Sequence, residues 1–224
     1  MKFNKQIFNS LTPILKNRGL TEATYSDHSG GLDFYKSNKY SDYRLTLDLG
    51  IVKKGFVNIY GRISFPNVID ILSKFIELKP NIYEPVVVNY DLYKNKENWA
   101  KIFKDFGALP LKTDLDIKEF KNEIISHIDS YILPFFEKFP DAKSVNDEIF
   151  EKLDFEEFPN YIPGNCTLKA LIIMKIYNNS RYEKYKNKKD EEYKFYINQN
   201  PSMWQSSYDS FIALASYLDE KIIK

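Results

Sequence analysis

Tyr43, Leu45, Leu47, Leu49 and Ile51 alternate with Arg44, Thr46, Asp48 and Gly50. A period of two makes one side of a strand apolar and leaves the other polar, so this stretch is satisfied only in a sheet covered on a single face. Val57, Ile59, Ile63 and Phe65 repeat the pattern. For both apolar sets to share one face, residue 51 must pair with 57 and 49 with 59, which leaves Lys53, Lys54 and Gly55 as a three-residue hairpin loop with glycine in the left-handed region. This register sets Asp48 opposite Tyr60 and Thr46 opposite Arg62 on the polar face. A slip of one residue would bury those charges. Arg44, Thr46, Asp48, Tyr60 and Arg62 are therefore the polar constellation whose placement follows from the pattern, either as a solvent-facing ladder, the simpler reading, or as a recognition surface.

The flanking patterns are helical before and after. Phe3, Ile7, Leu11, Ile14 and Leu15 fall on one helical face that stops at Arg18-Gly19, with Pro13 predicting a bend. Short strands are expected around Thr21 to Ser26 and Leu32 to Lys36, a helix from Pro66 through Ile76, and an edge strand over Pro85 to Tyr90. Trp99, Ile102, Phe103 and Phe106 space as a short helix closed by Gly107, and Ile117 through Phe135 as a longer one that Pro134 kinks or ends. Beyond Pro140 come an acidic helix, a buried helix from about Asn165, a Tyr/Lys helix around 179 to 197 and a last helix. In the last, Trp204, Tyr208, Phe211, Ala215, Leu218 and Ile222 form a stripe, with Ser202 and Gln205 spaced as a capping box. One short stripe falls below the several heptads a coiled coil needs, so docking onto the body is preferred to dimerisation, and Trp204→Ala is expected to cost about 3 to 5 kcal/mol.

The fold class is thus α+β, an antiparallel sheet of about four or five strands with an N-terminal helix, followed by a helical half packed on it. Residues 1–140 form the α+β part and 141–224 a helical extension, within what could equally be a single domain. With 224 residues, such a chain needs no disulfide or metal to hold its core. One cysteine excludes a disulfide framework and points to a reducing, cytoplasmic setting. The first ten residues lack the continuous apolar run of a signal peptide, and the most apolar stretch, 168–177, is broken by Lys169 and Lys175, far short of the ~20 residues of a membrane span. A formal net charge of +1 gives no bulk attraction to nucleic acid or anionic membrane.

Chemistry is sparsely provided. The histidines are His28, in the turn sequence Ser26-Asp27-His28-Ser29-Gly30-Gly31, and His127, at the edge of an apolar helical stripe. The turn is ordinary turn chemistry, although Asp27, His28 and Asp33 could converge across it. His127 reads as a packed histidine, and Cys166, one residue into an apolar helix, as a buried thiol. No zinc spacing, Walker A pattern or G-x-G-x-x-G appears, so neither a metal nor a nucleotide cofactor is called for. Two charge runs remain. Arg181 to Lys189 interleaves tyrosines with five cations, as a single-strand nucleic-acid clamp would. Asp141 to Glu157 carries seven acids, among them Glu148, Glu151 and Glu156, against Lys143 and Lys152, and could meet a basic partner. For both runs, a solvated helix face is the plainer interpretation.

The segments LTPILKNRGL at 11–20, LTLDLGI at 45–51 and ILPFFEKF at 132–139 resemble a bacterial family known as domain of unknown function 4304, over about residues 3 to 140. Leu20 stands where a phenylalanine often follows the glycine, and residues 141–224 extend past the usual end. The resemblance implies a helix, an antiparallel sheet and closing helices, and brings no catalytic residues. Small bacterial α+β proteins of this kind are also similar to immunity proteins that neutralise a toxin. The leading expectation is therefore a non-enzymatic protein that binds a basic, toxin-like partner through Glu148, Glu151 and Glu156 or through the outer sheet residues Arg44, Asp48, Tyr60 and Arg62. A nucleic-acid-associated protein using 181–189, and an enzyme using Asp27, His28 or His127, are the alternatives.

Overall fold

The computed structural model describes residues 2–26, 31–50, 55–78, 85–90 and 113–221. In order these form helix α1 (Lys2–Asn17), strands β1 (Glu22–Tyr25), β2 (Gly31–Ser37), β3 (Asp42–Gly50) and β4 (Gly55–Ser64), α2 (Pro66–Leu72), β5 (Val88–Asn89), α3 (Asp114–His127), a π-helical turn (Ile128–Ile132), α4 (Leu133–Lys138) and α5 (Ala142–Val145). A second π turn (Asn146–Phe150), a 3-10 helix (Phe155–Asn160), α6 (Cys166–Ile176), α7 (Tyr182–Gln199) and α8 (Pro201–Lys221) follow. The five strands make one antiparallel sheet in sequential order β1 to β5, so the expected class, α+β with a helical second half, is what the chain adopts. Lys53 and Lys54 of the proposed loop, the helix around Trp99 to Gly107, and Asp27 and His28 lie outside the described residues, while Gly55, expected as the third loop residue, begins β4. The chain divides into two compact units, one of Met1–Ile63 with Asn89–Phe139 and the other of Ser64–Val88 with Pro140–Lys224.

In the first unit the sheet has one apolar face, as the alternation requires. Leu32 pairs with Leu47, Phe34 with Leu45 and Lys36 with Tyr43 on that face. Asp33 pairs with Thr46, Tyr35 with Arg44 and Gly31 with Asp48 on the other. Helices cover the apolar side. Phe8 of α1 sits 5.8 Å from Phe34, and Tyr43 sits 5.2 Å from Phe136 of α4. On β4 a Cβ at Gly61 would stand 3.0 Å from Tyr90 Cβ and 3.4 Å from Ile132 Cδ1, so the odd residues of β4 face the same helical layer as those of β3. By parity, Tyr60 and Arg62 share the polar face with Arg44, Thr46 and Asp48.

Helix ends follow their local chemistry. Gly19, at φ +88°, closes α1, and the Leu20 amide donates back to the Leu15 carbonyl at 3.1 Å. Thr113 and Asp116 exchange side-chain and backbone bonds to start α3. Pro134 does not end the helical run, which continues to Lys138. Its ring would press on the Ser130 carbonyl of an α-helix, and the turn just before it is widened to π, with Leu133 donating to Ile128.

The second unit is helical around α6, which is buried on every side from Leu168 to Met174. Its C-terminus is turned by Asn178 at φ 54°, a left-handed position asparagine tolerates, which lets Asn179 donate to the Met174 carbonyl at 2.8 Å. Asp219 of α8 accepts from Lys175 at 2.7 Å, Lys186 at 2.7 Å and the Tyr182 hydroxyl at 3.1 Å, tying α6, α7 and α8 together. The acidic run does not form one helix. Asp154 and Glu157 cap a new start, so the segment breaks into α5, the π turn and the 3-10 helix. Nor does Ser202 cap α8 with Gln205. Proline begins the helix, while Ser202 bonds Asn200 and Gln205 bonds Asp209.

The stripe of α8 docks as expected, but unevenly. Phe211, Leu214 and Leu218 are fully buried, whereas Trp204 is only partly covered, stacked on Tyr196 at 4.9 Å. The cost assigned to Trp204 from its spacing therefore belongs to Phe211. Phe211→Ala should lose about 3 to 5 kcal/mol in urea melts and Trp204→Ala only about 1 to 2. Gly61→Ala should cost about 1 to 3 kcal/mol by the same measurement, since the close neighbour is a Cβ on the backbone of Tyr90 and has little freedom to withdraw.

Candidate functional site

The outer sheet face is built differently from a solvent-facing ladder. Asp33 receives both Nε and Nη2 of Arg44 at 2.9 Å each and the Thr46 hydroxyl at 2.5 Å. Arg44 also lies over Tyr35 with its guanidinium carbon 5.6 Å from the ring centre. Arg62, only 3% exposed, lies 4.6 Å from the centre of the Tyr60 ring. The strands thus bring two arginines, each over a tyrosine ring, to one face. Asp33 and Tyr35 belong to this cluster and were not singled out by the sequence, which saw Asp33 only as part of the turn. Asp48 lies on the same face, half-buried, and its carboxylate makes no hydrogen bond or ion pair among the described residues. Burial raises its pKa above the ordinary carboxylate value.

Three of the seven acids in the acidic segment have lysine partners, two from the segment itself and one from α7. Glu148 accepts from Lys152 at 2.6 Å, Asp147 from Lys143 at 2.5 Å and Glu156 from Lys188, while Glu157 bonds the Asp154 amide at 3.1 Å. Their lysine partners hold Asp147 and Glu156 below the usual carboxylate range. Glu151 remains exposed.

The basic Tyr/Lys helix is amphipathic in the ordinary sense. Tyr182 and Tyr185 are 4% and 1% exposed, so neither ring is offered for stacking on a base. Arg181 turns inward, donating to the Phe150 and Leu153 carbonyls at 2.7 Å each and covering Phe155 at 4.5 Å. Lys186, Lys188 and Lys189 are paired with Asp219, Glu156 and Glu192.

Two groups with potential chemistry are enclosed. His127 is 3% exposed between Tyr90, whose ring centre is 5.9 Å away, and Tyr131 at 4.9 Å. Burial pushes the Cys166 thiol up to about 12, far from a reactive thiolate at neutral pH. Lys169, fully buried, donates to the Val86 and Pro163 carbonyls at 2.6 Å each. This anchors the segment before β5 to α6. Among the described residues no group of three or more His, Cys, Asp or Glu side chains could hold a metal ion. Nor is any described helix long and apolar enough to cross a membrane.

A half-open recess of about 110 Å³ lies where α6 begins and α7 meets α8, lined by Thr167, Lys189, Glu192, Tyr193, Tyr196 and Trp204. Sequence reading missed it because its rings sit at packing spacing and its charges within a balanced run. The exposure of Tyr196, 38%, distinguishes it from core.

No family model matches the chain, and no solved structure matches it. It is similar to a cellobiose 2-epimerase of Dictyoglomus turgidum, 29% identical over 113 residues, which is 49% of this chain and 28% of that protein. The chain therefore matches little more than a quarter of that relative's length.

Asp48 gives the sheet face a measurable signature. A carboxyl whose folded pKa lies above its unfolded value of 3.8 favours the native state while protonated, and that advantage is lost as pH rises through the folded pKa. Asp48→Asn should therefore gain stability relative to the parent protein as pH rises from about 3 to 7, read as a growing difference in urea midpoints.

Proposed function

We propose that the protein is a non-enzymatic, immunity-like binding protein for a basic, toxin-like protein, and that it meets its partner with the outer sheet face. The observation that carries this reading is the cluster of Asp33-braced Arg44 beside Tyr35, Tyr60 backed from within by the buried Arg62, and half-buried Asp48, whose carboxylate has no partner among the described residues. Tyrosine and arginine held rigidly on strands are the side chains that dominate binding hot spots, because little ordering entropy is lost when they engage. A cation from the partner would offset the burial cost of Asp48, so the face favours a basic surface. The acidic version of the same reading is weaker, since Glu148 and Glu156 already have lysine partners.

The test is affinity capture from the native host followed by binding measurements with the isolated partner. Asp48→Lys and Tyr60→Ala should each weaken binding at least about tenfold, while combined charge reversal at Glu148, Glu151 and Glu156 should change it less than about threefold at physiological salt. The reverse order of effects would move the interface to the acidic segment.

The alternatives have less behind them. Nucleic-acid binding through 181–189 lacks exposed rings, and no retention on a single-stranded oligonucleotide column is expected at about 50 mM salt. The likeness to an epimerase covers only 28% of that protein and carries no activity over to this chain.

A further inference from the structure

We propose that the recess between the start of α6 and the α7–α8 hairpin is a binding site for a neutral saccharide, with Tyr196 and Trp204 as its stacking wall and Glu192 and Lys189 as its hydroxyl-reading pair. The lining has two kinds of surface. On one side, Trp204 stacks on Tyr196 with ring centres 4.9 Å apart and planes at 24°, and Tyr193 meets Trp204 edgewise at 6.5 Å. On the other, Lys189 donates to Glu192 at 2.6 Å. Their side chains are 17% and 34% exposed, so the pair borders the opening. Thr167, the second residue of α6, completes the lining.

The electrostatics select the ligand class. One cation and one anion in contact leave the recess with no net charge, so neither a free anion nor a free cation finds an uncompensated counterion there. The contact also presents a donor beside an acceptor. That arrangement matches adjacent hydroxyls, each of which can accept from the ammonium and donate to the carboxylate. A pyranose has such hydroxyls around its edge and a face of C–H groups that suits an aromatic wall, the mixed lining typical of small-molecule sites. Water exchange at a half-open site permits this recognition without complete enclosure.

The aromatic surface continues beyond the recess. Phe195, 58% exposed, lies 5.7 Å from Tyr196. Tyr196, Trp204 and Phe195 therefore extend farther than one sugar ring requires, and a disaccharide should bind more tightly than its monosaccharide.

The probe is the intact chain carrying Trp99→Phe, so that Trp204 is the reporting indole. It is titrated with glucose, N-acetylglucosamine, maltose and chitobiose, with tetramethylammonium and benzoate as charged controls. The expected result is saturable change in Trp204 emission with at least one neutral sugar at millimolar concentration, several-fold tighter for the disaccharide. Tyr196→Ala and Glu192→Gln should each weaken it about tenfold while the far-ultraviolet circular dichroism and urea midpoint stay near those of the parent. No saturable change with any of the four sugars, saturation by a charged control alone, or sugar binding indifferent to both substitutions would overturn the assignment.

Discussion

The first unit depends on a sheet that can be wetted on one face only. Leu32, Phe34, Leu45, Leu47, Ile59 and Ile63 are essentially inaccessible, and their strands must lie against helices to make them so. Once α1 and the α3–α4 segment cover that face, the polar residues Asp33, Arg44, Thr46 and Asp48 are gathered on the opposite one. The arginine–tyrosine cluster is thus a by-product of the same alternation that builds the core. Its specificity comes from a second layer of constraint, the bidentate hold of Asp33 on Arg44.

The second unit solves a different problem. α6 has no polar face to turn outward, so its surroundings must supply apolar contact on every side and a partner for each polar group. Lys169 is the extreme case, a charged group at 0% exposure. An ammonium in such a place is tolerable because backbone carbonyls of Val86 and Pro163 surround it at hydrogen-bond distance. Around this core, Asp219 and Arg181 use charge to align neighbouring segments, which explains why so many ionic groups of the second half are committed to structure and few are available for chemistry.

Much of the architecture was legible because periodicity reports burial directly. The alternation of Tyr43 to Leu49, the helical face of Ile7, Leu11 and Leu15, and the stripe of Phe211 and Leu218 each appear where their spacing puts them. What spacing cannot convey is which polar groups meet. Asp33 and Arg44 are far apart in the pattern logic, and only the β2–β3 register brings them together. Local chemistry likewise overruled periodicity in the acidic run, where the capping pair Asp154 and Glu157 restarts the backbone. Lys169 looked like an interruption of an apolar stretch when it is part of the core. The recess at Trp204 was invisible because an aromatic at helical spacing looks the same whether covered or half-open.

The two units are not consecutive lengths of chain, for Ser64–Val88 leaves the sheet region and joins the C-terminal helices. Val68, Leu72, Val86 and Val87, all at or below 4% exposure in the native protein, emerge from the ribosome well before the helices that share their unit. At elongation rates of roughly 5 to 20 residues per second this segment waits several seconds for residues beyond Pro140 to be synthesised. During that interval the nascent chain offers an unsealed apolar stretch to chaperones, and the second half of the molecule must close around a piece already delivered.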